Sequence, residues 1–160
     1  ALAAQMLHGA GLAGSVADGD ARAAAALDGG RAAEHFARMV AALGGPSDVL
    51  AHAGLPQAPV VLPVPAPRTG VVAVMDTRAL GLAVVALGGG RARAADAIDP
   101  RVGLDAVLPL GSAVQAGAAL LQVHAASLAA AESARAAVLA AITVADTLQD
   151  APLPVVVETL

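Results

Sequence analysis

The sequence predicts an α+β fold, with a helical segment over residues 1–56 followed by a small mixed domain over residues 57–160. Three observations carry that prediction. Apolar side chains recur every three to four positions before residue 45, the period of a helix with one buried face. Six of the ten prolines fall between Pro46 and Pro67, where a regular ladder of backbone donors is interrupted. After Gly70, short Val-rich runs alternate with Ala-rich stretches bounded by Ser, Asp and Gly.

Taken in order, residues 1–12 read as a helix ended by Gly9, Gly11 and Gly14. Asp18 and Asp20 place negative charge at the start of a second helix that runs to Leu27 and closes at Asp28-Gly29-Gly30. From Arg31, the side chains of Ala32, Phe36, Met39, Val40 and Leu43 share one helical face, and Gly44-Gly45-Pro46 stops the helix. Arg31, Glu34 and Arg38 lie opposite at spacings that permit ion pairs, which marks a solvated face. The stretch Pro63-Val-Pro-Ala-Pro67 is expected to be a linker or domain boundary. Strands are expected at 71–75, 104–108, 120–124 and 154–160. Helices are expected at 77–87, capped by Gly88-Gly89-Gly90, and at 127–147, with Leu128, Ala131, Ala134, Val138, Ile142 and Ala145 on one stripe.

Composition removes several classes of function. Hydrophobic residues make up 58% of the chain, but 45 of its residues are Ala, so the core leans on Leu and Val. All nine basic residues are Arg, and the absence of Lys removes a phosphate-loop lysine, a Schiff-base lysine and any lysine-linked prosthetic group. A GC-rich bacterial genome explains the same bias. Zero cysteines exclude disulfides and thiolate chemistry and agree with a cytoplasmic location. A net charge of −4, scattered arginines and one aromatic residue, Phe36, speak against nucleic acid as a partner. No apolar run has membrane-helix quality, since residues 71–88 are interrupted by Asp76 and Arg78. The first residues have no basic n-region and read like the middle of a helix.

The candidate chemistry is thin. Gly88-Gly89-Gly90-Arg91 invites a phosphate-loop reading, with Arg91 or Arg93 pairing an anion, but the glycines follow a helix instead of preceding one. A helix cap and flexible loop is the stronger reading. His8, His35, His52 and His124 show no metal-ligand spacing, so no metal is expected. Glu34 and His35 point in different directions on a helix, and Asp76 or Thr77 reads first as an N-cap. There is no Gly-x-Ser-x-Gly elbow. The residues alone specify a fold without a complete active site.

Two long runs carry a family resemblance. Leu27-Asp-Gly-Gly-Arg-Ala-Ala-Glu-His-Phe-Ala-Arg-Met-Val-Ala-Ala-Leu-Gly-Gly-Pro-Ser-Asp48 resembles the helix-and-turn segment late in the central domain of thymidine phosphorylases. Met75-Asp-Thr-Arg-Ala-Leu-Gly-Leu-Ala-Val-Val-Ala-Leu-Gly-Gly-Gly-Arg91, with Ala97-Ile-Asp-Pro-Arg-Val-Gly103 and the stretch from Gly111 to His124, resembles the C-terminal domain of the same family. The resemblance implies a piece of an α/β enzyme, in which residues 1–56 end the central phosphorylase domain and residues 57–160 form a hammerhead-like C-terminal domain. It further implies reversible phosphorolysis of thymidine to thymine and 2-deoxyribose 1-phosphate by an intact homodimer. Inorganic phosphate is a co-substrate there and no organic cofactor is used.

The family's Lys-His-Ser phosphate motif and its base-binding Arg, Ser and Lys have no counterpart in this sequence. No catalytic or substrate-binding residue is therefore assigned, and the chain is expected to be inactive without the upstream part of such an enzyme. The loop containing Gly88, Gly89, Gly90, Arg91 and Arg93 looks like the family segment that orders over a closed cleft. A rival reading comes from Gly111 to His124, which is similar to the half-motif of biotinyl and lipoyl domains; without a lysine at a hairpin tip, it would be a non-enzymatic interaction module. Residues 1–45 are expected to expose apolar faces that have lost their partners.

Overall fold

The computed structural model describes residues 1–51, 54–148 and 156. They divide into two compact units, one containing Ala1–Gly54 and the other beginning at Leu55. The strand expected at 154–160 lies outside the described residues, apart from Val156.

The first unit is three helices, α1 (Leu2–Gly9), α2 (Val16–Asp28) and α3 (Arg31–Ala42). Ser15 begins α2 by accepting the Asp18 N–H at 3.1 Å. The Asp18 carboxylate accepts from the Gly14 N–H at 3.0 Å and from Arg22 Nε at 2.9 Å, while Arg22 also donates to the Leu12 carbonyl at 2.7 Å. This staple fixes the turn joining α1 to α2. The two helices then touch backbone to backbone, because a Cβ on Gly19 would lie 2.6 Å from the Ala4 carbonyl oxygen. Alanine normally gains about 1 kcal/mol over glycine inside a helix, and here that gain is opposed by a clash no side chain can relieve. Glycine therefore sets the α1–α2 spacing, and Ala4 is buried beneath it.

Helix α3 has the expected limits and no buried residue. Phe36 and Met39, on its apolar face, are both exposed. Among the described residues, the permitted Arg31–Glu34–Arg38 pairs are not made; Arg38 Nη2 instead lies 3.3 Å from His35 Nδ1.

The second unit holds β1 (Val60–Pro65), β2 (Gly70–Met75), α4 (Thr77–Leu87), β3 (Gly103–Asp105), β4 (Ala113–Val114), β5 (Ala119–Ala125), α5 (Leu128–Ala141) and β6 (Ile142–Ala145). Two three-stranded antiparallel sheets form, in the orders β1-β5-β3 and β4-β2-β6. With the helices they make the expected α+β architecture.

Within the proline-rich region, the division between the two units falls at residues 54–55, whereas Val60–Pro65 is a strand and not a linker. Val60 pairs with Ala125, Leu62 with Val123 and Val64 with Leu121. Strand β1 is an edge, and backbone N–H groups two residues apart point the same way. The Ala66 N–H donates to the Ala118 carbonyl at 2.8 Å, so the even-numbered residues face β5. Pro63 and Pro65 carry their missing donors on the open edge, where nothing is lost.

A second correction falls at the end of α5. The helix begins as expected, with the Ser127 hydroxyl accepting the Ala130 N–H at 3.2 Å, and it buries Ala131, Ala134 and Val138. It stops at Ala141 instead of continuing to 147, and Ile142 turns directly into strand geometry at φ −117° and ψ 126°. The run Ile142-Thr143-Val144 is β-branched and pairs with Met75, Val74 and Val72 of β2, so strand pairing outcompetes helical period. Leu128, placed on the same stripe by its spacing, is exposed.

Helices α4 and α5 pack together, and α5 lies against β1 and β5. The enclosed core centres on Val64, Val72, Leu120, Leu121, Val123 and Val138, all essentially inaccessible. Asp76 starts α4 by accepting the Ala79 N–H at 2.9 Å, and its own N–H donates to the Ala141 carbonyl at 2.9 Å, which ties the start of α4 to the end of α5. Replacing Leu121 with Ala removes a fully buried side chain from both strand pairing and helix packing. The expected loss is about 3 kcal/mol of unfolding free energy, read as a shift in the urea midpoint of the second unit's transition. Leu82→Ala, at a side chain 58% exposed, is expected to change it by less than about 0.5 kcal/mol.

Candidate functional site

The sequence nominated the loop after α4, and the structure gives it a defined shape. Gly88 caps α4 in the left-handed region, at φ 95° and ψ 5°, where a side chain would be strained. Its N–H bonds to the Val85 carbonyl at 3.0 Å and the Gly89 N–H to the Val84 carbonyl at 3.0 Å, so two of the last four carbonyls of the helix are satisfied. The Gly88 carbonyl in turn accepts the Asp99 N–H at 2.9 Å. Residues 88–99 are thus a closed surface loop whose two ends are hydrogen-bonded to each other.

Two local ion pairs hold the path between those ends. The Asp96 carboxylate accepts from the Arg93 N–H at 2.8 Å and from Arg93 Nε at 3.2 Å. Asp99 takes both arms of Arg101, Nε at 2.9 Å and Nη2 at 2.8 Å, together with the Arg101 N–H at 3.0 Å. The side-chain bonds from Arg101, then its N–H and its charge, hold the Asp99 carboxyl at about 2, well below the usual carboxylate range. The same pairing raises the Arg101 guanidinium above its ordinary value.

Of the nominated residues, Gly88, Gly89 and Gly90 serve the helix end and its turn. A Cβ on Gly89 would lie 2.9 Å from Val84 Cγ1, and one on Gly90 would lie 2.8 Å from Val85 Cγ2. Arg93 is spent on Asp96. Arg91 is exposed and, alone among the loop's cations, has no hydrogen bond or ion pair among the described residues. The loop can therefore hold its shape while presenting one free guanidinium.

Asp96, Asp99 and Arg101, which organise the loop, were not singled out from the sequence. The signals were present: an Arg and an Asp three apart at 93 and 96, and an Asp-Pro pair at 99–100 that favours a side-chain-closed turn.

The histidines do other things. His8 Nδ1 lies 3.1 Å from the Ala13 carbonyl, His35 bonds Arg38, and His124 Nε2 stands 4.0 Å from Asp105 on the neighbouring strand. His52 lies outside the described residues. Among the described residues, no group of three His, Asp or Glu side chains could hold a metal ion, and no helix is long and apolar enough to cross a membrane.

Comparison with known proteins agrees with this placement of the loop inside a recognisable domain. Residues 71–145, from β2 through the last residue of β6, match the pyrimidine nucleoside phosphorylase C-terminal domain. The chain is 57% identical over 136 residues to a thymidine phosphorylase of Burkholderia lata, an alignment covering 84% of this chain and 31% of that protein. It is 50% identical over 154 residues to a thymidine phosphorylase of Burkholderia orbicola, covering 95% of this chain and 35% of the relative. A thymidine phosphorylase of Agrobacterium fabrum is 51% identical over 127 residues. These matches support a C-terminal portion of the thymidine and pyrimidine-nucleoside phosphorylase family. The chain spans about a third of the length of the curated relatives it matches.

The Asp99–Arg101 pair has a pH signature. Because the folded carboxyl is depressed from 3.8 to about 2, its contribution to loop closure is complete above pH 4 and is lost as pH falls through about 2. A carboxyl-carbon NMR titration should place the Asp99 midpoint near 2 and, in Arg101→Gln, which removes the guanidinium but keeps the residue-101 N–H, shift it upward toward the ordinary 3.8. A midpoint near 3.8 in the native chain would show that the pair does not form.

Proposed function

We propose that this chain is the C-terminal portion of an enzyme that phosphorolyses thymidine and that it does not catalyse the reaction alone. In that reaction a phosphate oxygen bonds to C1′ of the sugar, the C1′–N1 bond breaks, and the departing thymine takes a proton at N1. The products are thymine and 2-deoxyribose 1-phosphate. The observation that carries the reading is identity of 50–57% to thymidine phosphorylases across nearly the whole chain. The assignment of catalysis to the remaining part of the parent rests on chemistry. The reaction needs groups to bind phosphate and to hold the leaving base, yet this chain has no Lys, and the side-chain ion pairs among its described residues are exposed surface pairs of an Arg with a neighbouring carboxylate, or of His124 with Asp105.

Within the parent, the loop at residues 88–97 covers the substrate cleft and brings Arg91 to the phosphate side of it. Its support is the closed, ion-paired frame with one free cation. A lid of this kind excludes water and orients the two reactants. The parent acts in pyrimidine nucleoside metabolism as a cytoplasmic homodimer, with nucleoside and phosphate as its ligands and no organic cofactor.

Purified chain incubated with thymidine and phosphate is expected to release no thymine above a matched blank by chromatography. Release above the blank would overturn the claim that the chain is inactive alone. When the chain is combined with the rest of the parent, saturating phosphate and thymidine should slow amide exchange at residues 91–97 at least about tenfold, through ordering of an exposed loop. Unchanged exchange there, with slowing elsewhere in the enzyme, would remove the lid role.

A further inference from the structure

The chain has no Asn, and its two Asp-Gly dipeptides, Asp18-Gly19 and Asp28-Gly29, both place their Asp in α2. An Asp followed by Gly is prone to isomerise, because no Cβ on the following residue hinders ring closure. The Gly nitrogen attacks the Asp side-chain carbon Cγ, a five-membered succinimide forms, and water leaves. Water then reopens the ring. Attack at the main-chain carbonyl breaks the original peptide bond and leaves the backbone running through the side chain, as isoaspartate; attack at Cγ restores Asp. The mass is unchanged, and no oxidant or cofactor takes part.

The fold treats the two sites differently. The Asp18 carboxylate accepts from the Gly14 N–H at 3.0 Å and from Arg22 Nε at 2.9 Å, so its Cγ cannot turn toward the Gly19 nitrogen without breaking both bonds. The Arg22 bond, then the Gly14 bond, also holds the Asp18 carboxyl below its ordinary value, which favours the ionised form, the poorer electrophile. Gly19 is fixed as well. Its N–H donates to the Ser15 carbonyl at 2.9 Å, and it is buried against the Ala4 carbonyl. Rotating the Asp18–Gly19 peptide would part α1 from α2.

Asp28 is the reverse case. It is exposed, and it has no hydrogen bond or ion pair among the described residues. It is the last residue of α2, with the exposed Gly29 as the cap, and no residue of α2 after Gly19 is buried. The Gly29 N–H is held by the Ala25 carbonyl at 3.1 Å. That is a terminal helix bond, and opening it uncovers no packed surface.

We propose that Asp28 is a site of spontaneous aspartate isomerisation, set apart from Asp18 by the fold and not by the local sequence. Isoaspartate there lengthens the main chain by a methylene just before Arg31, the first residue of α3, and turns the α-carboxyl out as a side group. The aged chain is then a substrate for an enzyme that methylates isoaspartyl carboxyls.

The test ages the full chain in neutral buffer at physiological temperature over several weeks. Fragment-ion mass spectrometry locates isoaspartate, and methyl transfer from S-adenosylmethionine by a protein isoaspartyl methyltransferase quantifies it. Isoaspartate at Asp28 is expected to exceed that at Asp18 at least about tenfold, the protection given by two hydrogen bonds and a packed glycine. In concentrated urea, which removes the fold, the two sites should react within about threefold of each other. Asp28→Glu, which would need a larger ring, should lose the methyl acceptance with unchanged helix content by circular dichroism.

Isoaspartate at Asp18 equal to or above that at Asp28 in the folded chain overturns the proposal, as does an aged chain with none at Asp28. Methyl acceptance that persists in Asp28→Glu places the site elsewhere and overturns it too. So does the same preference for Asp28 in urea, since local sequence would then make the choice.

Discussion

The pairing of β1 with β5 is the constraint on which the second unit depends. It joins Val64 to Leu121 across a long stretch of chain that contains β2, α4, the Gly88–Asp99 loop, β3 and β4. Closing so large a loop costs entropy that no local contact returns, so the strands must recover it by burial. They do so with Val64, Leu120, Leu121 and Val123, and α5 covers the result with Val138. Small side chains make this geometry available. Ala131, Ala134 and Ala141 let α5 approach the sheet and α4 closely, and each contributes little area, which concentrates the stabilisation on a few Val and Leu residues.

The candidate loop is built on the far end of that arrangement. Helix α4 begins at Asp76, which is bonded to the last turn of α5, and ends at Gly88, where the loop starts. Its closing bond at Gly88 and Asp99 therefore stands on a packed helix, while the portion from Arg91 to Ala97 is exposed apart from Asp96. Rigidity at the base and exposure at the tip suit a segment that must change its surroundings without unfolding. Exposed ion pairs ordinarily contribute little to stability. Here their importance is geometric, because Arg93 and Arg101 are withdrawn from solution chemistry by Asp96 and Asp99 and the remaining charge is left at Arg91.

Much of this was legible in the residues. The limits of α3 and α4 coincide with the spacing of apolar side chains and with Asp76 and Gly88 as end signals, because caps are local and need no tertiary information. Two features failed to show, for the same reason. Pro63 and Pro65 forbid strand donors in general but not at an open edge, and only the sheet order reveals that β1 is an edge. Ile142 continues the helical stripe by position and contradicts it by branching, and only the presence of β2 as a partner decides between them. The loop was found through its glycines, whereas the carboxylates that shape it looked like ordinary surface charge until Asp99 was seen to hold both arms of Arg101.

The first unit shows the opposite relation between sequence and stability. Its helices are well specified, with Ser15, Asp18 and Arg22 fixing one turn and Gly19 fixing one crossing, yet specification does not supply burial. Helix α3 has the most clearly apolar face of the three and fully buries no residue of it. A helix of that length is marginal in water when nothing packs on its apolar face. The periodicity of Phe36, Met39 and Leu43 therefore specifies a helix face without supplying the burial that would stabilise it.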